Sequence, residues 1–322
     1  HVRQLELPIL VAAMDDEVLT SCAAYGFECY SCVQKKDKVP RYIRGDFAGF
    51  RALGVRKVDA LLPILRRGVH VVLSDVDCVW LRDPNPMVRG LTPGYEDFAR
   101  ADMIVSTDCH SPASDHDSDG CFGDQLDKNT GVMYVRATPV GIAAMAEWRV
   151  RLAVGQKDEQ DQTTFMDLID GNGRGYRWGM TPPERQVWKA FARDYCGPGQ
   201  YVKGFARRAE AHTPASRRIF NVCLPNVTRE LQLGVFPITE VANGHSFFIQ
   251  QLHSLSGRWP MAVHATFQYG DMPDYAFGKR QRFRDWGMWL VDDDAEWISA
   301  GRRGAADAAN YLVLDDDEPL AA

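Results

Sequence analysis

The sequence predicts an α/β fold with a mixed, mostly parallel central sheet and an irregular C-terminal part. Strands and helices alternate as far as Gly171, and beyond it Gly, Pro and Arg become frequent and the apolar runs short. Val69-His-Val-Val-Leu-Ser-Asp75 is also a continuous apolar run that follows an amphipathic helix directly, which is how a buried parallel strand reads.

Ile9–Ala13 reads as a first strand, Leu19–Tyr25 as a helix ending at Gly26, and Phe27–Val33 as a second strand. Val55, Val58, Leu61, Leu62 and Leu65 recur at helical spacing, and Gly68 follows the last turn. Met103–Ser106 and Asn129–Val135 read as strands, Pro139–Leu152 and Thr163–Ile169 as helices. Later come short strands at Val235–Ile238, Ser246–Gln250 and Ala262–Phe267, and a closing helix at Phe283–Leu290. The acidic run Asp315–Glu318 reads as a solvated tail. The expected division is one catalytic domain with a ligand-binding half over 1–170, a second half over 171–300 and a tail over 301–322.

The chain has 322 residues and a net charge of −6, which disfavours a sequence-independent grip on nucleic acid or on an anionic membrane. No apolar run reaches the roughly 18 residues that span a bilayer. Eight cysteines permit a disulfide framework. Cys109 and Cys121 flank a polar loop, Asp108–Gly123, that a bridge between them would staple. Cys29-x-x-Cys32 alternatively reads as a zinc or redox pair. With the acceptor triplet Asn226-Val-Thr228 the cysteines point to a secretory compartment.

Asp75-Val-Asp77 closes the apolar strand. Two carboxylates at a strand end can converge on a hard divalent cation such as Mg²⁺ or Mn²⁺, which bridges to a diphosphate. A turn that happens to hold two aspartates is the plain alternative. Asp75-Val-Asp-Cys-Val79 also fits the opening motif of haloacid-dehalogenase-like phosphatases, although no later acidic pair at a strand end accompanies it.

Leu73-Ser-Asp-Val-Asp-Cys-Val-Trp-Leu-Arg-Asp-Pro84 resembles the signature of the plant and algal family 77 glycosyltransferases. Asn129-Thr-Gly-Val-Met-Tyr-Val-Arg136, Asp161-Gln162, Gly244-His-Ser-Phe-Phe-Ile-Gln250 and Val263-His-Ala-Thr-Phe-Gln-Tyr-Gly270 with Gly278-Lys-Arg280 resemble its further motifs, in order, between Arg51 and Trp289. The late motifs are most similar to the extensin arabinosyltransferase branch. The resemblance implies a GT-A-type nucleotide-sugar-binding fold and a retaining, metal-dependent transferase of the Golgi lumen, anchored by an N-terminal membrane segment. It would carry L-arabinofuranose from UDP-arabinofuranose to hydroxyproline-linked arabinosides of cell-wall glycoproteins. Xylosyl or galactosyl transfer, and an inactive binding protein, are the alternatives.

The resemblance also implies roles. Asp75, Asp77 and His264 become metal ligands for Mn²⁺ or Mg²⁺, with His264 otherwise a satisfied core histidine. Asp161, Gln162 and Asn129 become catalytic or sugar-facing residues, with Asp161 otherwise a helix N-cap. Lys279 and Arg280 would meet the diphosphate. Arg56 and Lys57 would lie on the nucleotide side, where Gly54 permits close backbone approach. Gly244 and His245 would line the acceptor or phosphate side. Trp178, Trp188 and Trp259 would offer aromatic walls to a polyproline-like acceptor, or simply belong to the core.

Overall fold

The computed structural model describes residues 5–32, 47–117, 128–154, 160–170, 206–208, 218–224, 227, 229–268 and 275–289. The chain divides into two compact units, one of residues 50–268 with His1, the other of residues 2–49 and 269–322. Asn226 and Thr228 of the acceptor triplet, Cys121, Trp178, Trp188 and the acidic tail lie outside the described residues.

In the smaller unit β1 (Leu10–Ala13), α1 (Asp16–Ala24) and β2 (Glu28–Ser31) form a β-α-β element with parallel strands. The helix begins earlier than hydrophobicity alone predicts because Asp15 caps it, its carboxylate accepting from Val18 N at 2.7 Å. Gly26 ends it at φ 66°, a left-handed conformation that glycine adopts without strain. Cys29 is disulfide-bonded to Cys22, so the Cys29-x-x-Cys32 zinc or redox alternative is not realised. The closing helix spans Tyr275–Asp285 instead of starting at Phe283. Its polar Lys-Arg-Gln-Arg stretch hides the helical period. Gly287, at φ 63°, stops it, with Met288 N donating to Phe283 O.

In the larger unit, which holds α2 (Phe47–Arg66) from Phe50 onward, that helix leads to β3 (Val71–Ser74) and β4 (Cys78–Trp80). There follow β5 (Met103–Thr107), β6 (Lys128–Val135), α5 (Pro139–Val154) and α6 (Asp161–Asp170), with the short helices α3 (Asn85–Val88) and α4 (Pro112–Asp117) in the connections. Then come β7 (Ala206–Arg208), β8 (Ile219–Val222), β9 (Leu231–Val235), β10 (Val241–Asn243) and β11 (Ala262–His264). The main sheet has the order β3-β6-β5-β9-β8-β7. The expected mixed α/β architecture is present, with one refinement. β3, β5, β9 and β7 run the same way, but β6 and β8 insert antiparallel between them, so only β5 and β9 are parallel neighbours.

Val58, Leu61, Leu62 and Leu65 of α2 join Met145, Trp148 and Leu152 of α5 and Phe165 and Leu168 of α6 in one core cluster with Met103, Val105, Met133 and Leu233. Every residue of β5 and β6 is buried, which explains their continuous runs without alternation. A smaller sheet of order β10-β11-β4 stands beside the main one, with His264 opposite Cys78.

Ser246–Gln250 is not a strand. His245–Ile249 forms a π-helical turn, held where Asn243 Oδ1 accepts from Ser246 N at 2.9 Å. Phe247 and Phe248 are adjacent and both buried, which a strand with one solvated face cannot achieve. The expected strand Ala262–Phe267 ends at His264, because Thr266 N turns back to His264 O at 2.7 Å. Val235–Ile238 is the end of β9 and the Pro237 turn into β10.

Candidate active site

The site grows from an irregularity in the β5–β6 ladder. Pairing runs Val105↔Met133 and then jumps to Ser106↔Asn129, so Thr130, Gly131 and Val132 are left out of that ladder. They turn instead to β3, where Ser74 pairs with Val132 and Asp75 N donates to Gly131 O at 2.7 Å. Asn129 fixes the kink, its Oδ1 accepting from Gly131 N at 2.8 Å.

Three groups of side chains meet around this kink. In the first, Lys57 Nζ reaches from α2 to Asp75 Oδ1 at 3.1 Å, Thr130 O at 3.0 Å and Asp161 Oδ2 at 3.2 Å. An ammonium has three donors, and all three are used. Burial by itself would lower the Lys57 pKa. The carboxylates of Asp161 and Asp75 more than offset this and raise it, so the amine stays charged. Asp161 is the first residue of α6. Its Oδ1 accepts from Gln162 N at 2.9 Å, and its carbonyl accepts from Trp148 Nε1 at 3.1 Å. Asp161 thus stands within the first turn of α6 rather than ahead of it as the N-cap, since Gln160 O accepts the first helical bond, from Thr164 N at 3.0 Å. Gly54 matters here: an added Cβ would lie 3.0 Å from the Asp161 Cβ, so the glycine lets α2 approach the start of α6.

The second group is Asp77, Cys78 and His264. His264 Nε2 lies 3.2 Å from Asp77 Oδ1, and the ring is buried. Cys78 completes a cluster whose donor atoms all lie within 4.8 Å of one another. Burial pushes the Cys78 thiol well above its usual pKa, and the charges of Asp77 and Asp75 add to this. Asp75 faces the same space: a Cβ on Gly131 would lie 2.9 Å from Asp75 Oδ2 and would overlap the His264 ring.

Asp108, missed in the sequence reading, organises the third group. Its Oδ1 accepts from Asn129 Nδ2 at 3.0 Å and its Oδ2 from Gln162 Nε2 at 2.9 Å. A signal for it existed. Asp108 follows the apolar strand β5 as Asp75 follows β3, but its Ser/Asp/His-rich loop made it read as irregular surface. Around the next corner His245 lies 4.5 Å from His110, ring to ring, and Gly244 packs so closely that a Cβ would overlap Thr266 O.

Arg56 is buried, while its neighbour Lys57 carries the contacts to Asp75 and Asp161. Lys279 and Arg280 stand on the closing helix of the smaller unit. Trp259 is half-exposed and packs against Phe247.

A family model described as nucleotide-diphospho-sugar transferase matches residues 7–283. The chain belongs to this family. The transferase is 25% identical to arabinosyltransferase XEG113 of Arabidopsis thaliana over 94% of its own length and 38% of the relative's. It is 25% identical to beta-arabinofuranosyltransferase RAY1 of the same plant, over 56% of the chain and 31% of that relative. It is 22% identical to UDP-D-xylose:L-fucose alpha-1,3-D-xylosyltransferase 3 of Arabidopsis thaliana, over 77% of the chain and 49% of the relative. It therefore spans less than half the length of these curated relatives. No solved structure matches.

Proposed function

We propose that this transferase moves a pentose with retention, L-arabinofuranose from UDP-arabinofuranose to hydroxyproline-linked arabinosides of cell-wall glycoproteins, in the Golgi lumen. The observation that carries the reading is the Asp77–His264 pair beside the Lys57-tied Asp75 and Asp161. Its donor spacing suits a cation. Neighbouring ligands of an octahedral ion with bonds of about 2.1 Å lie about 3 Å apart, close to the 3.2 Å between Asp77 Oδ1 and His264 Nε2. A carboxylate and an imidazole suit Mn²⁺, with Mg²⁺ the alternative. Such an ion supplies charge stabilisation to a departing diphosphate.

The chain's own groups do the rest. Asp77 and His264 hold the cation, and Asp75 orients the strand end against Gly131. Lys57 holds Asp161 in place, next to Gln162 and Asn129, which Asp108 aims together. A carboxylate and two amides gathered in this way suit hydrogen bonding to sugar hydroxyls. The likeness to two arabinosyltransferases supports the pentose, and the likeness to a xylosyltransferase keeps UDP-xylose as the second reading. The Cys22–Cys29 bridge, with Cys109 and Cys223 also disulfide-bonded, fits an oxidising compartment. Among the described residues no helix is long and apolar enough to cross a membrane. Family membership stands against the phosphatase alternative.

The test is a panel of UDP-sugars, UDP-arabinofuranose and UDP-xylose included, with hydroxyproline arabinoside acceptors, with and without Mn²⁺. The expected result is metal-dependent transfer from UDP-arabinofuranose. Transfer from UDP-xylose alone would replace the donor, and full activity in chelator would remove the metal.

A further inference from the structure

We infer that Asp77, Cys78 and His264 together form a mixed oxygen, sulfur and nitrogen site that takes a thiophilic divalent cation, Zn²⁺ or Cd²⁺, through the Cys78 sulfur. The inference rests on the reading of Asp77 and His264 as cation ligands and adds a third donor with different chemistry.

The placement follows from strand pairing. β4 and β11 are antiparallel with Cys78 directly opposite His264, so their side chains project from the same face. Asp77 reaches that face from the turn before β4, where its carbonyl accepts from Ala265 N at 3.0 Å. Cys78 N donates to Asp75 O at 3.3 Å, which fixes the other side of the turn. The result is one carboxylate oxygen, one thiol sulfur and one imidazole nitrogen, all within 4.8 Å of one another. Zinc bonds of about 2.0–2.3 Å leave neighbouring ligand atoms under about 4 Å apart, so side-chain shifts of about 1 Å or less close the shell. Cys78 is not in a disulfide, so its sulfur is available as a ligand.

Oxygen and imidazole donors accept Mn²⁺ and Mg²⁺, whereas a thiolate favours softer ions. On binding, the Cys78 S–H bond breaks, the proton goes to solvent and the sulfur lone pair goes to the ion. No electron changes hands. A cation held by all three side chains, in the tetrahedral geometry Zn²⁺ prefers, has one position left. It would offer a diphosphate less room than a six-coordinate ion. Zn²⁺ is therefore expected to bind competitively with Mn²⁺ and to inhibit transfer.

The experiment titrates the full chain with Cd²⁺ and follows the ultraviolet sulfur-to-cadmium charge-transfer absorption, with Mn²⁺ binding measured in parallel by electron paramagnetic resonance. The expected result is a band that saturates at one ion per chain and is displaced by Zn²⁺. Cys78→Ser should abolish it and lower Cd²⁺ affinity by at least about tenfold. Cys32→Ser should keep it. An unchanged band in Cys78→Ser overturns the inference. A wild-type chain that binds Mn²⁺ but gives no band removes the sulfur donor and leaves the Mn²⁺ reading standing. A chain that binds neither ion overturns both.

Discussion

Lys57 Nζ and Asp161 Oδ2 are 3.2 Å apart although 104 positions separate them in the chain. The pair joins α2 to the first turn of α6. Through the same ammonium it ties Asp161 to Asp75, at the end of β3. Lys57 is thus a positioning group for two carboxylates, and the structure assigns its three donors to protein oxygens.

Replacing Lys57 with Met should leave those carboxylates with fewer charged donors and an apolar chain between them. Hydrogen bonds to charged groups contribute about 1.5–3 kcal/mol, so a loss of about 2 kcal/mol in urea unfolding at neutral pH is expected. The pH sign follows from the raised pKa. The contribution is complete below the ordinary lysine value of 10.5 and fades as pH rises through the higher folded value. Wild-type stability should therefore fall more steeply above pH 10.5 than that of Lys57→Met. Equal slopes would show that the clamp contributes nothing.

Asp77→Ala should retain the fold and lose the cation. Transfer should drop by about 100-fold or more, and Mn²⁺ should no longer raise the melting temperature in the presence of UDP. Unchanged Mn²⁺ affinity in this variant would move the cation elsewhere.

Gly131→Ala tests geometry without changing a ligand. The new methyl would overlap the His264 ring and press on Asn129 Oδ1 and Asp75 Oδ2, each 2.9 Å away. Mn²⁺–UDP affinity should fall by about tenfold or more. A variant that binds as well as the parent would mean that His264 can swing aside at no cost to the site.

Acid stability should depend on Asp102, whose side chain is almost fully buried. Burial alone would raise its pKa. Hydrogen bonds from Arg229, Gln232 N and Thr138 outweigh burial and hold it below the ordinary 3.8. The carboxylate therefore stabilises the fold above pH 3.8 and loses that effect as pH falls below it. Asp102→Asn should cost about 2 kcal/mol at neutral pH and flatten the decline in melting temperature below pH 3.8. An identical acid profile in wild type and variant would reject the assignment.

Several elements were legible because their signals are local. The strands β3, β5 and β6 and the helices α2 and α5 show their periods within a few residues, although β3, expected as a buried parallel strand, is a half-buried edge strand paired antiparallel to β6, and Asp75 and Asp77 stand at a strand end where ligands gather. Other elements were not. The π-helical turn at His245–Ile249 resembles a strand until Asn243 Oδ1 takes the Ser246 N–H, and the closing helix hides its period behind Lys279, Arg280, Gln281 and Arg282. Strand direction was only partly legible, since pairing is a long-range property and β6 enters between β3 and β5 against their direction.

By itself, then, the sequence determined the α/β class, the transferase family and the pool of acids, amides and histidines from which a site is drawn. Only the tertiary structure decided the partnerships. It set Lys57 on Asp75 and Asp161, His264 beside Asp77 and Cys78, and Asp108 between Asn129 and Gln162. The reason is physical: residue type and local period act over one or two turns of chain, whereas these contacts span tens to nearly two hundred positions. They exist because sheet register and the kink at Gly131 bring remote backbone to one place.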